Sequence, residues 1–271
     1  MTDLDADPTH AEDAPREDEH LLAEWWRETR SAAVFLTRLP IGIGPTAPLA
    51  VGDSARGFPV VGAAIGAAAA VVYGVATSLD LPPGIAAVLA VGSMVLATGA
   101  LHEDGLADMA DGFGGGRDRE QVLSIMHDSR IGAYGVLALM LVIGLRILCV
   151  ADLHGGFTAA LTLIAAAAGS RTVLPLVLHY VPPARADGLG HDAGRPSWRM
   201  LIDGTALGAA LVLIGLGPLG GILGVAAAAL VSWAIAQLAL RRIGGQTGDV
   251  LGAIQQAAEA AILLAAVATQ P

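Results

Sequence analysis

Apolar residues in this chain gather into seven long blocks, at about 58–79, 84–101, 131–150, 157–178, 201–217, 219–240 and 250–268. Each is rich in Ala, Leu, Val, Ile and Gly and ends at Pro, Gly or a charge. Blocks near 20 residues match what an α-helix needs to cross a hydrocarbon core of about 30 Å. The pattern therefore predicts an all-α fold, a polytopic integral membrane helical bundle of about seven spans. The 201–217 block is short, so 201–240 also reads as a hairpin that stops short of a full crossing. Ahead of the blocks, residues 21–38 (LLAEWWRETRSAAVFLTR) read as an interfacial amphipathic helix, with Trp25 and Trp26 beside Arg27 and Arg30.

The connections sort by arginine. Arg27, Arg30, Arg38 and Arg56 precede the first span; Arg117, Arg119 and Arg130 lie in 102–130; Arg185, Arg195 and Arg199 in 179–200; Arg241 and Arg242 in 241–249. The alternate connections, near 80–83, 151–156 and 218, carry none. Cytoplasmic loops are enriched in positive charge, so a multi-pass protein of the cell inner membrane is expected, with its N-terminus and arginine-bearing loops in the cytoplasm.

Composition supports the membrane reading. The 271 residues are 54% hydrophobic and only 15% charged, against about 25% charged in soluble domains. The single cysteine, Cys149, rules out an internal disulfide framework, and all 15 basic residues are arginines, which removes lysine-dependent chemistry. Of the net charge of −10, residues 1–20 contribute −7, with eight acids against Arg16. That stretch reads as a disordered acidic tail, leaving 21–268 as a single membrane-embedded catalytic domain. Without a basic surface, nucleic-acid binding is not expected.

Beyond the tail, acids concentrate at 103–128, in LHEDGLADMADGFGGGRDREQVLSIMHDSR. Asp104, Asp108 and Asp111 are spaced i, i+4, i+7, which stacks them on one helical face. Stacked carboxylates repel unless a cation sits among them, and a hard ion such as Mg²⁺ takes oxygen ligands and serves phosphate-bearing substrates. A solvated acidic face is the plain alternative. The glycines that follow, among them Gly114 and Gly115, could let backbone amides approach a phosphate. Glu103 points about 100° off the aspartate face, and His102 reads equally as a ligand or a helix-end hydrogen-bonding residue. Arg130 could pair with Asp128, grip a phosphate bidentately or anchor the next span. Arg171 lies about 10 Å inside a span, where a charge faces a cavity or a partner carboxylate. Arg146, nearer the outer end of its span, is adequately explained by snorkelling, and Glu259 is expected to be paired or to line the same cavity. A second glycine-rich turn, RRIGGQTGDVLGA (241–253), brings Gly245, Thr247 and Asp249 to the mouth of the last span. It suits phosphate or metal contact and equally a helix cap.

Five segments carry a family resemblance: FLTRLP (35–40), FPVVGAAIG (58–66), LHEDGLADMADGFGG (101–115), IMHDSRIGAYG (125–135) and GGQTGDVLGA (244–253). Over about 31–268 the chain resembles the adenosylcobinamide-GDP ribazoletransferase, or cobalamin-5′-phosphate synthase, family. His127 departs from the lysine common there and is given no role. The resemblance implies an Mg²⁺-dependent membrane enzyme in which α-ribazole or its 5′-phosphate displaces GMP from adenosylcobinamide-GDP. It implies Asp104, Asp108 and Asp111 as catalytic metal ligands, with Asp128 or Asp249 as a further ligand or base. Arg38, Arg130 and Arg171 are then expected on phosphates, with Gly114, Gly115, Gly245 and Thr247 beside them. The partners are the two substrates and the lipid bilayer; a homo-oligomer is compatible with the sequence.

Two rivals stand beside this. A CDP-alcohol phosphotransferase also displaces a nucleoside monophosphate with membrane aspartates, but its DG is followed two residues on by Ala-Arg, which neither Asp104-Gly105 nor Asp111-Gly112 gives. A cation transporter would place its acids mid-membrane on discontinuous helices, whereas most of these acids border the loops.

Overall fold

A computed structural model describes residues 17–41 and 48–270. Among them run α1 (Glu17–Leu36), α2 (Gly57–Ser78), α3 (Pro83–Thr98), α4 (Leu101–Gly115), α5 (Arg119–Met126), α6 (Ala133–Asp152), α7 (Gly156–Tyr180), α8 (Leu189–Asp192), α9 (Trp198–Ile243) and α10 (Gly248–Ala268). The acidic tail expected over 1–20 lies outside the described residues as far as 16. At its end, α1 begins at Glu17 rather than at 21.

Five helices are long and apolar enough to cross a bilayer, and six if α3 and α4, bent by 89°, count as one broken span. The seventh crossing of the sequence reading corresponds to a division of α9. Gly217 leaves the helical region at φ 72° and is followed by Pro218, which cannot supply an N–H to a continuing ladder. A Cβ on Gly221 would lie 2.6 Å from the Cα of Leu213, whereas residues eight apart on one straight helix are separated by about 12 Å. The two arms of α9 therefore fold back on one another, as a hairpin.

α7 and α10 form the buried centre, with α6 and α9 at the periphery. Leu141, Leu148, Ile214, Leu230 and Trp233 are exposed on those outer helices, as a lipid-facing surface requires. In α1, Leu22 and Trp26 face outward while Ala32 and Leu36 are buried. Its inner face also buries Glu28, whose carboxylate accepts from Arg56 Nε at 2.7 Å, so the interfacial helix is fastened to the start of α2.

The connections after α4, α7 and α9 meet on one face. Pro183 bridges to Gln246. Arg119 donates to the carbonyls of Ile243 and Ala184. Arg242 donates to those of Phe113 and Gly116 at the end of α4, where free helix carbonyls favour a cation. Arginines expected only to mark the loops thus join them into one surface.

Candidate active site on the loop face

The break between α3 and α4 begins with Gly99 and Ala100, both left-handed (φ 63° and 59°). Gly99 caps α3, and the chain re-enters helix at Leu101 in a new direction. That turn lays α4 against α10. A Cβ on Gly105 would sit 2.9 Å from the Cα of Asp249, and one on Gly252 would sit 2.9 Å from the carbonyl oxygen of His102. Two facing glycines therefore set the approach that brings acids of both helices together. Asp104, Asp111 and Asp249 are the charged neighbours of Asp108. The three stacked aspartates do share one helix, and α10 adds a fourth from 138 residues further along the chain. Gly105→Leu should force α4 off α10, cutting turnover and costing about 1–3 kcal/mol of stability by overpacking; turnover and thermal unfolding in detergent read both effects.

Asp111 has a task besides charge. Its Oδ2 accepts from the Gly132 amide at 2.6 Å and its Oδ1 from Gly135 at 2.9 Å. It thereby caps α6 from another helix, meeting donors that the start of a helix leaves free. Asp104 is exposed and Asp108 half-buried, so both present oxygens to the loop face. The glycine expectation needs correction: Gly114 and Gly115 lie inside α4, where their amides are spent on the helix. Gly114 instead packs against the Tyr134 ring.

At the second turn, Thr247 accepts from Val250 N as the cap of α10 and donates to Asp249 Oδ2 at 3.2 Å. Gly245 is pressed against the backbone of Pro182 and Pro183, a packing role. Asp249 also pairs with Arg185 at 3.5 Å and stands where two cavities meet. One, of about 140 Å³, is mostly apolar and bounded by Phe35, Phe58, Leu174, Leu251, Asp104 and Asp249. The other, of about 250 Å³, is lined mostly by polar and charged residues and opens among the loops. Arg38 is exposed, with its side chain against Gly99, and so stands at the bend leading into α4.

Other expected site residues are placed apart. Arg130 is turned to solvent and forks onto Asp128, with contacts of 2.5–3.2 Å. That hydrogen bonding holds the Asp128 carboxyl down, to about 2, which makes it a poor base. Arg171 is buried, 3.6 Å from Glu259 Oε2, and donates to the Ala167 carbonyl at 3.0 Å, which is the partner-carboxylate alternative. Arg146 does not snorkel. It is buried and binds Glu259 at 2.5 Å, Gln256 at 2.8 Å and Glu103 at 3.2 Å. Arg185 and His127, 3.5 Å apart, were not assigned to the site from sequence. Nothing local marks a loop arginine as facing an aspartate 64 residues away.

A family model described as cobalamin-5-phosphate synthase matches residues 28–267. Relatives named adenosylcobinamide-GDP ribazoletransferase include one from Bradyrhizobium diazoefficiens, 46% identical over 90% of this chain and 94% of its own. Another, from Mesorhizobium japonicum, is 45% identical over 86% and 90%, and one from Azorhizobium caulinodans 44% identical over 86% and 92%. No solved structure matches the chain.

Proposed function

The chain belongs to the cobalamin-5-phosphate synthase family, and from that premise we propose that it transfers the cobinamide phosphate moiety of adenosylcobinamide-GDP to α-ribazole or its 5′-phosphate, releasing GMP. The observation that carries this reading is the convergence of Asp104, Asp108, Asp111 and Asp249, of which Asp104 and Asp249 line the apolar cavity and Asp249 also the polar one. An acceptor hydroxyl attacks phosphorus, the pyrophosphate bond breaks, and charge grows on the departing GMP oxygen. Arg185, and Arg38 at the bend, are placed to attract phosphate oxygens. Asp249, shared by both cavities, is the carboxylate best placed to take the hydroxyl proton.

The donor set fits a hard divalent ion by its chemistry: it is all oxygen, with Arg185 as its ion-pair partner. Among the described residues no three such side chains are yet drawn into a cage. Asp104 and Asp108 would hold Mg²⁺, with Asp111 behind them and Asp249 left as the base, and the ion would offset charge on the transferring phosphate.

The test is purified protein with adenosylcobinamide-GDP, α-ribazole phosphate and Mg²⁺, following GMP. EDTA should abolish release and Mg²⁺ restore it. No release from any loaded mixture would overturn the reading, and CMP release from a CDP-alcohol would favour the rival. Orientation is tested separately, in a Cys149→Ser background. Ser124→Cys and Ser129→Cys should be shielded from an impermeant thiol reagent in intact cells, and Gly156→Cys labelled. The reverse pattern would put the site outside the cytoplasm.

A further inference from the structure

The polar cavity beside Asp249 holds two sets of groups with opposite chemistry. Arg185 and His127 are donors suited to a phosphate, and Arg185 touches Asp249, where the aspartate cluster begins. Gln246 and Asp187 line the same space as acceptors. Gln246 is 2% exposed. Its Nε2 donates to the Gly190 carbonyl at 2.9 Å, while its Oε1 is buried without a donor. A buried acceptor left unmet is the exception in a native interior; this one lies against Gly190, which with Gln246 and Asp187 lines the cavity.

We infer that this cavity is the subsite for the leaving nucleotide and selects a guanine base, an inference that rests on the function proposed above. Guanine carries adjacent N1–H and N2–H₂ donors on one edge, which the two oxygens of the Asp187 carboxylate can accept together, with Gln246 holding the wall behind it. Adenine presents an unprotonated N1 at that edge and no amino group at C2. The benzimidazole of α-ribazole has no N–H donor at all, so the acceptors do not suit the incoming nucleoside. The nucleotide phosphate then falls toward Arg185 and Asp249, and the apolar cavity on the other side of Asp249 is left for the remainder of the substrates.

The inference is tested by equilibrium binding, which needs no turnover. Full-length protein in detergent is titrated calorimetrically with GMP, IMP and AMP. GMP should bind at least about tenfold more tightly than AMP, with IMP between them because it keeps N1–H but lacks the amino group. Asp187→Ala should weaken GMP at least about fivefold and leave AMP unchanged. Arg185→Gln should weaken both alike. Asp187 is exposed, so its substitution should leave the fold intact and its result decides the matter. Equal affinity for GMP and AMP, no nucleotide binding, or parallel losses in Asp187→Ala would each overturn the subsite. Selective GMP binding in a protein that never releases GMP from adenosylcobinamide-GDP would sink the catalytic reading alone. Normal release with unselective binding would sink the subsite alone.

Discussion

Asp104→Asn and Asp108→Asn will each lower turnover at least about a hundredfold, a loss of about 2.7 kcal/mol in transition-state stabilisation, without lowering Tm. The two halves of that result belong together. Asp104 is exposed and Asp108 half-buried on α4, and among the described residues neither side chain makes a hydrogen bond that holds the helix in place. Removing one of several mutually repelling carboxylates relieves strain in the unloaded protein, so Tm should hold or rise. Asp111→Asn should differ. An amide offers one acceptor oxygen where Asp111 uses two, on Gly132 and Gly135, so the α6 cap is weakened by about 0.5–2 kcal/mol and Tm falls with activity. Turnover at constant Mg²⁺ and thermal melts in the same detergent separate the cases. Near-normal turnover in both Asp104→Asn and Asp108→Asn would remove the aspartate face from the chemistry.

The helices were legible because span length is a local property. The block read at 58–79 is α2 at Gly57–Ser78, that at 157–178 is α7 at Gly156–Tyr180, and that at 250–268 is α10 at Gly248–Ala268. The hairpin near 218 was marked by Gly217-Pro218. The α3–α4 bend was less visible: Gly99 signals a cap, but left-handed Ala100 has no sequence signature, and the apolar run continues through it. The aspartate stack needed only helical spacing, so α4 showed it. Which helix would face that stack was hidden, because Asp249 reaches it through the close approach at Gly105 and Gly252. The same limit explains Arg146. Its depth in α6 was readable, but not that α4 and α10 would turn Glu103 and Glu259 toward it, 43 and 113 residues away.

That buried cluster carries the other large expected effect. Arg146, Arg171, Glu103 and Glu259 balance as two cations and two anions, with Gln255 and Gln256 hydrogen-bonded among them. Glu259 lies eleven residues into α10, about 16 Å of helix, where water cannot replace a missing partner. Glu259→Leu strips both arginines of their shared carboxylate, and breaking a buried pair in this way costs about 3–5 kcal/mol. Arg146→Met should cost a similar amount by leaving Glu103 and Glu259 with Arg171 alone. Combining the two removes one charge of each sign, so the double variant should melt above either single one. Arg171→Met tests where the cluster stops and the substrate begins. As a partner of Glu259 it should lower Tm while each folded molecule keeps its turnover. An unchanged Tm with turnover lost would mean that Arg171 reaches a substrate phosphate after all.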